Sequence, residues 1–364
     1  MNRFLKRVGI LQRLMFDKEI DYLVLGPSPN MFYFTGLVTA PDERLQAVLI
    51  PDRGVPILIL PEMYGEEAEQ KKGPYHLLLW PDGKNPYEMV HAVIGEGKFR
   101  IAIDPEMLAG HYFGIMEPCK NSVFVDARKI LINEMRICKD VYELDSLEKA
   151  GRLADRVMGD TAKEIKAGIT EKQLAGFIEN RIMDLGADSI PTPNIVSSGP
   201  NCSEPHHSPK NRTFLKGDLI MVGFCANLEG YCTDITRTFS LGPADSKAKD
   251  IYSVVQEANE CGFQTVQEGT SCQDVDRAVR KVITDAGYGK CFIHRTGHGI
   301  GLEIHEEPYL VEGNATPLAK GMVFSIEPGI YLPGEMGVRI EDTVAVTEKG
   351  AVRLHNFPRD LIEF

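Results

Sequence analysis

No uninterrupted apolar run in this chain approaches the length that spans a bilayer, so the sequence offers no membrane helix. A surplus of positive charge is equally lacking. Asp and Glu number 52 against 40 Lys and Arg, and a net charge of −12 repels the phosphates of a nucleic acid. The eight cysteines include no Cys-x-x-Cys and no framework spacing, which points to reduced thiols in a cytoplasmic protein. No segment is biased enough in composition to be disordered. What is present is 364 residues, 43% hydrophobic, enough for two globular domains with ordinary cores. Residues 1–16 interleave apolar and basic side chains at helical spacing. An export signal would carry an unbroken apolar stretch, so this segment reads as an amphipathic helix packed on a sheet.

Residues 1–130 alternate helical and strand patterns. Strands are expected at 21–25, 45–50, 55–60, 75–80, 100–104 and 122–127, with Asp52-Arg-Gly54 closing a hairpin. This is an α/β domain with a mixed sheet. Residues 131–364 read as a second, α+β domain. It opens on a long helix from Asp140 to Ala167, with Leu144, Leu147, Leu153, Ala154, Val157 and Ile165 at helical spacing. A second helix follows Gly168, started by a Thr170–Gln173 capping box and stopped at Gly186. A similar unit recurs from Gly269 to Gly287, again 18 residues from glycine to glycine. Such a repeat points to two related halves with a site between them. The remaining segments, at 218–226, 230–239, 322–326, 337–346 and 351–354, form a bent antiparallel sheet.

Four residues of this second domain suit a divalent cation such as Mn, Co, Fe or Zn: Asp234, His298, Glu327 and Glu341. Asp234 lies on a hairpin with its turn near Leu228 and Glu229. That placing sets Cys225 opposite Cys232 and Gly223 opposite Asp234, all four on one face. His294, His298 and His305 fall within twelve residues, beside Gly297, Gly299 and Gly301, which allow close backbone approach. Glu327 precedes Pro328-Gly329, so it ends a strand and projects into a cavity. Arg339 and Glu341 are two apart and share a face; Arg339 either holds a substrate carboxylate or orients Glu341.

The motifs Ser28-Pro-Asn-Met-Phe-Tyr-Phe-Thr-Gly, Gly199-Pro-Asn-Cys-Ser-Glu-Pro-His-His, His294-Arg-Thr-Gly-His-Gly-Ile-Gly-Leu-Glu-Ile-His-Glu-Glu-Pro, Ile326-Glu-Pro-Gly-Ile-Tyr and Val338-Arg-Ile-Glu-Asp extend over nearly the whole chain. Through them the chain resembles the pita-bread hydrolases: Xaa-Pro dipeptidase (prolidase), aminopeptidase P, methionine aminopeptidase and creatinase. The resemblance is nearest to prolidase. It implies a creatinase-type N-terminal domain, a pita-bread catalytic domain with a pseudo-twofold repeat, and a homodimer. It implies hydrolysis of the Xaa-Pro bond of dipeptides or short peptides by metal-bound hydroxide. Asp234 and Glu341 would bridge two metals, and His298 and Glu327 would complete the first. Glu327 would also handle the proton. His206, His294 and His305 match substrate- and proton-handling histidines, with His305 at the oxyanion. Tyr331 matches a pocket-lining tyrosine, and Arg339 the arginine beside the last ligand.

Position 223 is the one departure among the ligands. The resemblance implies an aspartate there, chelating the second metal, and this chain has Gly223. The first metal keeps its full set while the second keeps only the bridging carboxylates. The expectation is one tightly held metal per chain, with the second weak or absent. Cys225, where the family often has glycine, is expected to fill vacated space, ahead of a Cys225 or Cys232 thiolate ligand or a disulfide between them. Two alternatives stand beside the metallopeptidase: a metal-free C–N hydrolase like creatinase, using His206 and the glutamates, and a catalytically impaired homologue that only binds. Retention of Asp234 favours metal.

Overall fold

The computed structural model describes residues 3–364; Met1 and Asn2, which begin the expected N-terminal helix, lie outside the described residues. The chain divides into two compact units between Arg136 and Ile137.

The first unit holds a six-stranded sheet of β1 (Tyr22–Leu25), β2 (Ala47–Pro51), β3 (Ile57–Pro61), β4 (His76–Trp80), β5 (Arg100–Ile103) and β6 (Val123–Asp126), ordered β4-β3-β2-β1-β5-β6. All six expected strands are present. The sheet is mixed: β2 pairs antiparallel with β1 and β3, and the other neighbours run parallel. Leu23, Val24 and Leu25 are fully buried, as a strand covered on both faces requires. The helices are α1 (Arg3–Asp17), α2 (Pro29–Thr35), α3 (Gly65–Lys71), α4 (Pro86–Ile94), α5 (Ala109–Met116) and α6 (Asn133–Arg136). In α1, the 3–4 spacing of Arg7, Val8, Leu11 and Met15 buries one face.

The second unit is built twice over. α7 (Val141–Glu164) and α8 (Glu171–Asp184) precede β7 (Ile195–Ser198), β8 (Leu219–Leu228) and β9 (Tyr231–Ser240). Then α9 (Ser246–Thr265) and α10 (Cys272–Asp285) precede β10 (Gly297–Gly299), β11 (Glu306–Leu310) and β12 (Val323–Ile326). The two helix pairs keep a constant offset of 101 residues: C-caps Ile165 and Val266, glycines Gly168 and Gly269 both at φ 90°, N-caps Thr170 and Ser271. Each N-cap residue also forms a lone antiparallel bridge, to Thr213 and Pro317 respectively. Two core clusters result, one within the first half around Val157, Ile178 and Val222, the other around Val255, Val279 and Phe324 but taking in Cys202, Leu219 and Met221 of the first half. The Thr170–Gln173 capping box is made in both directions; Ser271 caps nothing with its side chain.

Two expectations need correcting. The hairpin of β8 and β9 has a register two residues from the expected one: Cys225 faces Asp234 and Gly223 faces Thr236. The turn is Glu229-Gly230, with φ of 54° and 84°, the pattern of a two-residue type I′ turn. A shift of two keeps every side chain on its expected face. Residues 337–346 are not one strand. They split into β14 (Met336–Arg339), paired with β13 (Gly329–Leu332), and β15 (Asp342–Thr347), paired with β12 and β16 (Gly350–Arg353). The break comes at Glu341, whose backbone N–H donates instead to Thr236 O at 3.0 Å. The Arg237 guanidinium donates to the carbonyls of Thr236 and Glu341 and fixes that crossing. Among the described residues, no helix is long and apolar enough to cross a membrane.

Candidate metal centre

Where β9, β10, β12 and the β14–β15 crossing meet, a cavity of about 640 Å³ opens. Asp234 enters from the middle of β9. His298 is the central residue of the three-residue β10. Alanine is excluded on either side of it: a Cβ on Gly297 would stand 1.8 Å from Ser325 O, and one on Gly299 2.2 Å from Glu307 O. These glycines let β10 press between its neighbours and fix the imidazole. Glu327 follows the last residue of β12, and Glu341 sits at the break between β14 and β15.

Donor atoms of Asp234, His298 and Glu341 lie within 4.8 Å of one another. His298 Nε2 is 3.8 Å from Asp234 Oδ2 and 3.3 Å from Glu327 Oε1. Its Nδ1–H donates to Gly299 O at 3.2 Å, which leaves the Nε2 lone pair for the cluster. Glu341 Oε2 accepts from Thr236 Oγ1 at 2.6 Å, whereas its Oε1 is buried with no hydrogen-bond partner among the described residues. Burial pushes all three carboxyls up, and neighbouring carboxylates add to it. Asp234 rises well above the usual range, through burial and then the charges of Glu341 and Glu327. Glu327 rises to about 8 for the same reasons, and Glu341 rises mainly through burial. Burial, then His305, brings His298 down to about 3, so its imidazole is neutral. Three crowded carboxyls, an orphan carboxylate oxygen and a neutral imidazole with a free lone pair are the donor set a divalent cation neutralises.

The cavity brings together nine of the ten residues singled out from sequence: His206, Gly223, Asp234, His294, His298, His305, Glu327, Arg339 and Glu341. Tyr331 is the correction. It does not line the cavity but lies behind it, 3% exposed, with its hydroxyl 2.9 Å from His294 Nε2 and accepting from Arg339 Nη1 at 3.3 Å. His294 Nδ1–H donates to Arg295 O, so Nε2 accepts from Tyr331. Burial, then the Arg339 charge, lowers His294 to about 4. His206 and His305 are also lowered, by burial first.

Among the described residues, no cysteine forms a disulfide. The Cys225 thiol accepts from Thr192 Oγ1 at 3.1 Å and hydrogen-bonds Asp234; burial holds it well above its ordinary value, so it packs as a protonated thiol. Cys232 accepts from Asn227 and donates to Leu302 O, away from the cation donors. His207 lies between Glu171 and Glu204, at 2.9 and 2.8 Å, in a buried network that anchors the loop carrying His206.

Sequence reasoning missed Thr236, which ties Glu341 to Arg339 through one hydroxyl. Only the corrected hairpin register reveals it. It also passed over Arg295, which lines the cavity with its guanidinium 4.5 Å over the Tyr309 ring. The signal was available, since Arg295 stands inside the His294–His298 motif.

Residues 145–348 match the model of metallopeptidase family M24, and residues 7–138 match the creatinase/prolidase N-terminal domain. The probable dipeptidase PepE of Mycobacterium tuberculosis is 36% identical over 363 residues, 99% of this chain and 96% of that protein. Among solved structures, a recombinant prolidase from Thermococcus sibiricus matches with a TM-score of 0.94 at 37% identity, covering 100% of both chains. A dipeptidase from Pyrococcus horikoshii OT3 matches at 0.93 and 39% identity, covering 98% of this chain and 100% of that one.

Proposed function

The chain belongs to metallopeptidase family M24, and from that premise we propose that it cleaves dipeptides, Xaa-Pro dipeptides foremost, with one tightly held divalent cation. It is a hydrolase with the pita-bread fold behind a creatinase-type N-terminal domain. The observation carrying the proposal is the convergence of Asp234, His298 and Glu341 within 4.8 Å, beside the partnerless Glu341 Oε1. Dipeptide cleavage draws support from relatives named dipeptidase and prolidase that match over nearly their whole length. One cation, rather than two, follows from Gly223, which offers no side-chain ligand.

Asp234, His298, Glu327 and Glu341 would hold the cation, whether Mn, Co, Zn or Fe. When bound, it lowers the pKa of water at the site and polarises the scissile carbonyl. Glu327, at the strand end, takes the proton of the attacking water and returns it to the leaving nitrogen. Neutral His206 and His305 line the cavity, where they donate to or accept from a peptide without adding charge, while His294, whose two ring nitrogens are engaged by Arg295 O and the Tyr331 hydroxyl, shapes the wall beside them.

A metal count of the purified protein, after reconstitution with Mn or Co and removal of loose metal, tests this reading. About one ion per chain, with turnover on a panel of Xaa-Pro dipeptides, is the expected result. No retained ion refutes it and directs the search to metal-free C–N substrates. We further propose a cytoplasmic homodimer, the compartment supported by eight cysteines that show no framework spacing. Light scattering reads the mass.

A further inference from the structure

Gly223 leaves more than a missing ligand. Its φ lies outside the left-handed region, so the backbone accepts other residues, but a side chain there would push on Thr236 and Arg339. A Cβ built on Gly223 would stand 2.8 Å from Thr236 Oγ1 and 3.1 Å from Arg339 Nη2. The absent side chain is thus a notch in the cavity wall with a guanidinium nitrogen at its edge.

Arg339 is held rigidly at that edge. It is 4% exposed. Nε donates to Thr236 Oγ1 at 3.1 Å, and Nη1 donates to Pro205 O at 2.9 Å and to the Tyr331 hydroxyl. Its backbone N–H and C=O are both bonded to the Thr238 hydroxyl. Nη2 alone has no hydrogen-bond partner among the described residues, and no carboxylate lies within 4.0 Å of the guanidinium. The Thr236 hydroxyl that accepts from Nε also donates to Glu341 Oε2 at 2.6 Å. The unused donor therefore stands one hydroxyl away from a cation-holding carboxylate. A buried, preorganised positive charge aimed into a cavity has most to gain from an anion arriving there.

We propose that the notch over Gly223 seats the scissile carbonyl oxygen of the substrate, and that Arg339 Nη2 is a donor, in addition to the His305 implied at the oxyanion, that takes its developing negative charge. This rests on the hydrolase reading above. In the step, the water oxygen bonds to the carbonyl carbon, and the carbonyl π pair moves onto the oxygen facing Nη2. The water proton passes to Glu327. The pair then returns to re-form C=O, the C–N bond breaks, and the nitrogen leaves with the Glu327 proton. A side chain at position 223 would close the notch or claim Nη2 for itself.

Three properties of wild type, Gly223→Ala and Arg339→Lys test the assignment: ions retained per chain, kcat and KM on an Xaa-Pro dipeptide, and calorimetric affinity for a phosphinic dipeptide analogue, whose tetrahedral P–O⁻ mimics the oxyanion. Both variants should keep the wild-type ion count and melt cooperatively. Both should lose about 10²–10³-fold in kcat with KM little changed, the scale of removing one oxyanion donor. Phosphinate affinity should fall in parallel, while affinity for the product amino acids stays. Wild-type phosphinate affinity in both variants, with ions retained, overturns the notch. Absence of a retained ion from the wild-type protein overturns the hydrolase reading and the notch together.

Discussion

Thr236→Val removes one hydroxyl from the heart of the site and keeps the side-chain volume. That hydroxyl donates to Glu341 Oε2 at 2.6 Å and accepts from Arg339 Nε at 3.1 Å, in a residue 1% exposed. Glu341 Oε1 already lacks a partner, so valine leaves the carboxylate with no protein hydrogen bond. Hydrogen bonds to charged groups contribute roughly 1.5–3 kcal/mol each, and two share this oxygen, so we expect a loss of about 3 kcal/mol in the cation-loaded protein. For a unit of this size that lowers Tm by about 6–12 °C. Cation affinity should also fall, by about 10–100-fold, as when a group orienting a ligand is removed. Calorimetric melting of the Mn-loaded protein and a Mn titration measure both effects, with Thr236→Ser as the rescue. A valine variant melting within about 2 °C of wild type, with unchanged Mn affinity, would refute the reasoning.

Other outcomes follow from the same geometry. Folded Glu327 titrates near 8, and Asp234 and Glu341 are also raised above their ordinary values. The cation-free folded state therefore binds protons that the unfolded chain has already released above about pH 4.5. Its stability is full below that pH and is lost as pH rises toward 8. Melting across that range should show Tm falling with pH, with the gain on adding Mn growing in step; a flat profile contradicts the shared crowding. Cys225→Ala should change Mn affinity less than threefold by titration, since the protonated thiol only packs there; a tenfold loss would make it a ligand. The Arg295 guanidinium touches the cavity with no ion-pair partner among the described residues. Arg295→Met should raise KM at least tenfold for a dipeptide with a free C-terminal carboxylate, and leave KM for its C-terminal amide unchanged. Equal effects on the two substrates would remove Arg295 from carboxylate recognition.

The parts of the site legible in sequence are those whose signal is local. Glu327 was placed by Pro328-Gly329 behind it, and His298 by the glycines on either side. The matched helix units were visible because Gly168, Gly186, Gly269 and Gly287 all take left-handed backbone, a demand written in residue identity. What was not legible depends on register and on distant chain segments. Leu228-Glu229 and Glu229-Gly230 are both plausible two-residue turns, and choosing between them decided whether Gly223 faces Asp234 or Thr236. Nothing in residues 337–346 announces a break, because it is drawn out by Thr236 and Arg237, about a hundred residues earlier. Tyr331 could be matched to a pocket, but which layer of it the ring occupies is a matter of packing.

The two-fold construction of the second unit would give a cation held by these residues a mechanical role. Asp234 comes from the first half, and His298, Glu327 and Glu341 come from the second. That seam is already stitched by the Thr236–Glu341 bridge and by the Arg237 guanidinium on Glu341 O and Asp342. An ion seated there would be a further rivet between the two halves. Stripped by a chelator, the seam is expected to loosen, with amide hydrogens there exchanging, and proteases cutting, faster than in the loaded protein.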